Sequence, residues 1–160
     1  MDYKLIVLAP SCGGKSSLMR YLRKNTDIHV VENDEEVMKA NNNDWPSTDK
    51  YHSFVDKTFN EVISRNKIVY LMKDLSPELL RKARDKGFKA IILKLTIEQL
   101  NERNTKRMKE EGYEDASMWF EGQLKQLDEL SKEKLIDGYI DGNLATEQIA
   151  DRVIKLAESF

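Results

Sequence analysis

The chain has 160 residues, of which 40% are hydrophobic and 34% are charged, with a formal net charge of −2. This composition supports a packed core under a charged surface, in one domain spanning residues 1–160. The near-neutral charge argues against a nucleic-acid partner. The single cysteine excludes an internal disulfide, and no apolar stretch approaches the roughly 20 residues that span a bilayer. We therefore expect a cytoplasmic protein without a membrane partner.

The first half of the chain alternates apolar strands with amphipathic helices. Residues 3–8 form an almost continuous apolar run, which is typical of a buried parallel strand. Leu18 and Leu22 share one face of the helix that follows. The predicted strands are residues 3–8, 28–32 and 67–72, and the predicted helices are 14–24, 35–40 and 54–64. Residues 41–49 are predicted to form a polar loop.

The second half continues the same alternation. Ser76 and Thr96 have the residue type that caps helix N-termini, and Gly87 is a typical helix stop. Strands are predicted at 89–95 and 139–140, and helices at 77–87, from 97 to a break at 110–113, at 116–132 and at 145–158. This order predicts an α/β protein with three layers, in which helices cover both faces of a five-stranded parallel sheet.

A phosphate-binding loop is indicated between the first strand and the first helix. Ala9 is followed by four residues and then by Gly14, Lys15 and Ser16, which is the P-loop spacing with Ala in the first position. Lys15 would contact the β- and γ-phosphates of ATP, and the Ser16 hydroxyl would bind Mg²⁺. The alternative is a glycine-containing turn with an exposed lysine. The predicted nucleotide-binding residues are Ser11, Cys12, Gly13, Gly14, Lys15, Ser16 and Ser17.

The arrangement resembles the P-loop nucleoside monophosphate kinases, the group of guanylate, adenylate and cytidylate kinases. The loop from Ala9 to Ser16 is most similar to that of guanylate kinases, although Ala9 and Cys12 stand where those enzymes have glycine. An acid after the third strand, Asp74, and an Arg-x-x-x-Arg pair before a break also match the family. The resemblance implies a P-loop fold with a short helical lid, at about residues 108–117, and the use of ATP and Mg²⁺.

Three residues outside the loop are predicted to take part in catalysis with Lys15. Asp74 ends a buried strand, where it could hold Mg²⁺ through water; the alternative is an acid stabilised by a helix dipole. Arg103 and Arg107 share a helix face, where two guanidinium groups could bind the transferring phosphoryl group. The alternative for this pair is a solvated face paired with neighbouring glutamates.

The acceptor is expected to bind in the region of about residues 33–66. Glu32 and Asp34 follow the second strand, where either acid could contact a ribose, an amine or a hydroxyl proton. Helix capping by Asn33 or Asp34 is the alternative. Tyr51, together with Trp45, could stack on a base; the alternative is a tryptophan that anchors the loop.

The sequence therefore predicts an ATP-dependent kinase, a monomer or homodimer, with a nucleoside or deoxynucleoside monophosphate as acceptor. One alternative is a P-loop kinase for another small acceptor or for a polynucleotide 5′ end. The other is a nucleotide-binding ATPase or regulatory module, which the absence of the guanylate kinase acceptor signature favours.

Overall fold

The computed structural model describes residues 2–160 and contains a single five-stranded sheet within that range. The strands are β1 (Lys4–Leu8), β2 (Val30–Glu32), β3 (Ile68–Met72), β4 (Lys89–Lys94) and β5 (Gly138–Asp141). The helices are α1 (Lys15–Asn25), α2 (Asn33–Ala40), α3 (Thr48–Val62), α4 (Pro77–Asp85), α5 (Ile97–Glu111), α6 (Phe120–Lys132) and α7 (Thr146–Ser159). All strand pairs are parallel, in the order β2-β3-β1-β4-β5. The predicted α/β fold is confirmed.

The two faces of the sheet are covered by different helices. Successive side chains of β1 point to opposite faces, because the side-chain period of a strand is two residues. Ile6 and Leu8 belong to a core with side chains of α3, α4 and α6, among them Phe59, Val62, Leu80, Leu127 and Leu130. Leu5 and Val7 belong to the opposite core with side chains of α1 and α7, among them Leu18, Leu22, Ile149 and Val153. The molecule therefore has three layers, α/β/α.

The central strand β1 ends at the carboxyl edge of the sheet, beside a reversal of the strand order. It pairs with β3 on one side and with β4 on the other, so the strand order reverses beside it. The amide of Ala9 continues the ladder by donating to the carbonyl of Met72 at 3.0 Å. Open α/β sheets bind ligands in the crevice at such a reversal, outside the carboxyl ends of the strands.

The predicted helix starts at Ser76 and Thr96 are confirmed. The Ser76 Oγ accepts a hydrogen bond from the Leu79 amide at 3.2 Å, with Pro77 in the first turn. Thr96 and Gln99 form a reciprocal capping box at the start of α5. These caps satisfy amides that a helix N-terminus leaves without intrahelical partners.

Helix α3 begins at Thr48, six residues before the predicted start at residue 54, so part of the predicted polar loop is helical. The amides of Lys50 and Tyr51 both donate to the carbonyl of Ser47 at 3.0 Å, which closes the first turn. The first turns of α3 are largely exposed, so they carry the polar residues that led us to predict a loop. Tyr51 is therefore a helical residue.

The predicted capping of α2 by Asn33 or Asp34 is wrong. Helix α2 begins at Asn33 itself, and its N-cap residue, Glu32, makes no side-chain cap hydrogen bond. The Asn33 side chain is buried and accepts a hydrogen bond from the hydroxyl of Tyr70 at 2.9 Å. The Asn33 side chain therefore bonds to a buried residue of β3 instead of capping the helix.

The predicted lid segment, residues 108–117, combines a helix end with an irregular stretch. Helix α5 ends at Glu111, and Gly112 has a φ of +70°. Residues 113–116 have no regular secondary structure, and a 3₁₀ turn at Ser117–Trp119 leads into α6, which begins later than predicted. Within residues 2–160, no helix has the length and apolarity needed to cross a membrane.

Candidate functional site

A cavity of about 760 Å³ lies at the carboxyl ends of β1, β2 and β3. The loop after β1 forms one wall, the acids after β2 and a lysine after β3 form a second, and α5 with the segment that follows it forms a third. The lining residues are Ser11, Cys12, Gly13, Gly14, Lys15, Ser16, Ser17, Arg20, Glu32, Asp34, Lys73, Arg103, Asn104, Lys106, Arg107, Glu110, Glu111, Tyr113, Glu114 and Ala116. All seven predicted nucleotide-binding residues line this cavity.

The loop between Ala9 and Lys15 is tightly wound. The Gly13 amide donates to the carbonyl of Pro10 at 2.9 Å. A Cβ at position 13 would lie 2.6 Å from the Pro10 carbonyl oxygen and 2.8 Å from the Ala9 Cβ, so only glycine fits there. Gly14 has a φ of +92°, in the left-handed region that favours glycine. These two glycines therefore allow the backbone of the loop to wind tightly.

The Lys15 side chain is folded back onto the loop. It is the first residue of α1, and its Nζ donates to the carbonyls of Ala9 and Pro10, both at 2.9 Å. Burial lowers the pKa of the Lys15 ammonium from its ordinary 10.5 to about 8, although Asp34 and Glu32 act in the opposite direction. Ser16 and Ser17 are exposed in the first turn of α1. Together with the helix N-terminus, these groups suit an anionic ligand.

We expect ATP binding to take up a proton at alkaline pH. Below pH 8 Lys15 is charged in the free protein, whereas above it the free protein holds a neutral amine that bound phosphate would reprotonate. ATP affinity should then fall by up to about tenfold for each pH unit above this pKa. Calorimetry at about pH 9, in two buffers with different ionisation enthalpies, measures the uptake, and about pH 7 is the control. Heats that do not depend on the buffer at about pH 9 would contradict the prediction.

The two predicted arginines of α5 contact the loop directly. Arg103 donates from Nη1 to the Cys12 carbonyl at 3.2 Å and from Nη2 to the Gly142 carbonyl at 2.8 Å. Arg107 donates from Nη1 to the Cys12 Sγ at 3.2 Å, and its guanidinium carbon lies 4.2 Å from the centroid of the Tyr113 ring. The predicted alternative, a solvated face paired with neighbouring glutamates, is wrong for this pair, because both side chains are half-buried against the loop. Both arginines therefore donate hydrogen bonds to Cys12.

Two buried amide side chains support this half of the site and were missed by the sequence analysis. Gln123 of α6 accepts from the Ser11 amide at 2.8 Å and donates to the Ser11 Oγ at 3.0 Å. Asn104 of α5 donates to Asp115 at 2.8 Å and accepts from the Ala116 amide at 3.0 Å. Both side chains are buried. A polar residue inside an apolar stripe, as at Gln123, is the signal that could have found them.

The opposite half of the cavity is acidic. Burial raises the pKa of Glu32, and the neighbouring charge of Asp34 raises it further. The Asp34 Oδ1 is buried and accepts no hydrogen bond from the residues that the structure describes. Its nearest cation is the Lys73 ammonium, at 3.7 Å. A buried carboxylate oxygen without a donor is costly, so this atom is suited to a donor group of a ligand.

Two of the predicted site residues do not line the cavity. Asp74 is half-buried outside the cavity lining, whereas Glu32 and Asp34 belong to that lining. Tyr51 is outside the cavity lining, and the Nζ of Lys73, a lining residue, is 5.4 Å from the centroid of the Tyr51 ring. The roles predicted for Asp74 and Tyr51 stay predictions.

The Tyr70 hydroxyl donates to Asn33, which stands in the sequence between the two acids of this half, Glu32 and Asp34. We expect Tyr70→Phe to destabilise the protein by about 1–3 kcal/mol, because it leaves the buried Asn33 oxygen without a donor. Urea unfolding measures the change. Tyr139→Phe, at an exposed tyrosine of β5, is the matched control and should be neutral. Equal stability of Tyr70→Phe and the native protein would show that this bond does not support the site.

The oxygen donors of the cavity fit Mg²⁺. The Ser16 hydroxyl and the Glu32 carboxylate, which both line the cavity, are hard ligands of the kind that this ion prefers. Within residues 2–160, no group of three or more His, Cys, Asp or Glu side chains is arranged to hold a metal ion. A Mg²⁺ ion bound here would therefore depend on the phosphate oxygens of a nucleotide, as is usual for this ion.

Comparison with solved structures identifies the fold. Shikimate kinase from Acinetobacter baumannii in complex with shikimate aligns with a TM-score of 0.74 and 17% identity, over 98% of this chain and 93% of the other. The chain has the fold of the shikimate kinases. The Aquifex aeolicus shikimate kinase gives 0.71 and 15% identity, over 98% and 96% of the two chains. A gluconokinase from Sinorhizobium meliloti gives 0.60 and 17%, over 98% and 94%.

The sequence itself has no such match. No protein-family model matches the chain. No curated protein matches its sequence significantly. The likeness to the shikimate kinase fold extends over nearly the whole chain, so the likeness to P-loop kinases that we noted in the sequence is confirmed at the level of the fold. The narrower resemblance to guanylate and adenylate kinases is not.

Proposed function

We propose that the protein is an ATP-dependent kinase that transfers the γ-phosphoryl group of ATP to a hydroxyl group of a small molecule. The observation that supports this most is that one cavity combines two kinds of groups. Lys15, Arg103 and Arg107 supply positive charge on the side of the loop. Glu32 and Asp34 supply carboxylates on the other side. A phosphoryl donor and an acceptor therefore have complementary halves of one site.

The donor half would act by positioning and by charge. The N-terminal amides of α1, which lack intrahelical partners, and the Lys15 ammonium would bind the phosphates of ATP. Arg103 and Arg107 already lie on the loop and would turn to the γ-phosphoryl group, where they stabilise its charge during transfer. When bound, Mg²⁺ would neutralise charge on the phosphate oxygens, with Ser16 as its protein ligand.

The acceptor half would hold the attacking hydroxyl. The Asp34 Oδ1 is the group best placed to accept the hydroxyl proton, because it is buried and has no donor among residues 2–160. The acceptor oxygen would form a bond to the γ-phosphorus while the bond from that phosphorus to the β,γ-bridging oxygen breaks. ADP leaves with the electron pair, and Asp34 takes the proton. Glu32 would orient the acceptor or the metal hydration shell.

The fold comparisons favour a small-molecule acceptor over a nucleoside monophosphate. The similar structures named above are shikimate kinases and a gluconokinase. One observation keeps a nucleotide acceptor as the second candidate: the Trp45 and Tyr51 rings lie 5.5 Å apart near the acidic half, where they could contact a base. Residues 108–117 would close over either acceptor and exclude water.

A coupled assay of ADP release tests the proposal. The panel contains hydroxylated acids, sugars, nucleoside monophosphates and a 5′-hydroxyl oligonucleotide, each with Mg-ATP. ADP release that depends on a small hydroxylated acceptor supports the proposal, and dependence on a monophosphate supports the second candidate. ADP release that is independent of acceptor would show an ATPase, and the absence of release with ATP bound would show a binding module. Either of these last results overturns the kinase assignment.

A further inference from the structure

Lys73 is a cation in the acceptor half that the proposed chemistry does not use. It follows β3 directly, lines the cavity, and has 23% of its side chain exposed. Its Nζ lies 5.6 Å from the centroid of the Trp45 ring and 5.4 Å from that of the Tyr51 ring. The two rings and Asp34 thus surround an ammonium group that borders the cavity. Cation–π contacts of this kind hold a charge in place without using its hydrogen-bond donors.

The Lys73 ammonium lies beside a carboxylate and keeps capacity to donate hydrogen bonds. The Asp34 carboxylate is 3.7 Å away, which is an ion pair but too long for a hydrogen bond. An ammonium has three donors, so a ligand in the cavity can still receive a charge-assisted hydrogen bond from Lys73.

We propose that Lys73 determines acceptor specificity by binding a carboxylate or phosphate group that the acceptor bears in addition to its reacting hydroxyl. This inference rests on the proposed function, because it assigns the second anchor of the same acceptor. Asp34 would hold the hydroxyl, and Lys73 would hold the anionic group beside it. A neutral polyol would satisfy only the first of these contacts and would give the ammonium no anion beyond Asp34.

Binding can be measured apart from activity through the indole of Trp45. The chain has two tryptophans, so Trp119→Phe leaves Trp45 as the only reporter, in contact with Lys73. Saturating MgADP fills the nucleotide half. The probes are matched pairs that share their hydroxyls and differ in the anionic group: gluconate with glucitol, shikimate with its methyl ester, and ribose 5-phosphate with ribose. The first two pairs test a carboxylate, and the third tests a phosphate.

We expect the anionic member of at least one pair to change Trp45 emission at a concentration at least about tenfold lower than its neutral partner. Lys73→Met should remove this difference, and Lys73→Arg should keep it because the charge remains. Lys50→Met is the matched control: it removes one charge from an exposed position of α3 and should keep the difference. The inference is overturned if no pair shows a preference for the anion, or if Lys73→Met retains it.

Kinetics separate this inference from the proposed function. For an acceptor that is phosphorylated, Lys73→Met should raise the acceptor KM about 10- to 100-fold and leave the KM for ATP unchanged. In Lys73→Met the Asp34 carboxylate also loses its neighbouring cation, and this loss affects both members of a pair. The ratio of KM for the anionic acceptor to KM for its neutral partner therefore isolates the contact between Lys73 and the anion. A binding preference without phosphotransfer would defeat the proposed function alone. Phosphotransfer with an unchanged ratio in Lys73→Met would defeat the role of Lys73 alone.

Discussion

Lys15→Met is expected to lower phosphotransfer at least about 10³-fold while the fold remains intact. Methionine has nearly the length of lysine but cannot donate to phosphate oxygens. Stability should fall by about 1–3 kcal/mol, because the buried Ala9 carbonyl loses a donor, whereas the Pro10 carbonyl still accepts from the Gly13 amide. The coupled ADP assay measures activity, and urea unfolding measures stability.

The control for this variant is Lys24→Met, which removes an exposed lysine from the other end of α1. It should keep native activity and stability. Undiminished phosphotransfer in Lys15→Met would overturn the assignment of the loop. A large loss of stability would instead mean that Lys15 holds the loop together through the Ala9 and Pro10 carbonyls.

Arg103→Ala is expected to reduce kcat by about 10²- to 10⁴-fold, and Arg107→Ala by a similar or smaller factor. Arg103 is the more deeply placed of the two, since it bridges the loop after β1 to the loop after β5. Arg107→Lys should recover little activity, because an ammonium lacks the planar pair of donors that fits a phosphoryl group. Initial rates at saturating ATP and acceptor measure these effects.

Arg81→Ala is the matched control for the arginine variants. Arg81 lies in α4 and forms an exposed ion pair with Glu133 at 2.9 Å, so its loss should leave kcat unchanged. If Arg103→Ala retained native kcat, its two carbonyl contacts would be structural. Unfolding of Arg103→Ala at a much lower urea concentration would give the same conclusion, and Arg103→Lys then tests the charge alone.

The donor half could be predicted from the sequence because its signal is local. The spacing from Ala9 to Ser16 fixes a strand, a loop and a helix start within a few residues, and the structure has the same order. The pairing of Arg103 and Arg107 on one face likewise follows from helical periodicity. Neither signal predicts that the two arginines contact Cys12, because these contacts join elements about 90 residues apart in the chain.

The acceptor half was harder to predict because it depends on strand order and on tertiary contacts. Periodicity identified β2 and β3 but gave no means to decide which following acid faces the loop. The sequence predicts Asp74 as the metal-binding acid and Glu32 and Asp34 as acceptor-binding acids, whereas the structure lines the cavity with the latter two and not with Asp74. Lys73 had no local signal, since its partners Trp45 and Tyr51 come from a region predicted as a loop and from the first turn of α3.

The bond between Ser11 and Gln123 makes one amide proton a reporter for a distant helix. The Ser11 N–H is held by a side chain of α6 and by no carbonyl of its own loop among the described residues. Its exchange with deuterium would therefore be slow only while α6 is docked against the loop. Because α6 follows residues 108–119 directly, any movement of that segment that pulls on α6 would appear as faster exchange at Ser11. The exchange rate of the Ser11 amide would then report the opening of the site, and its measurement needs no identified substrate.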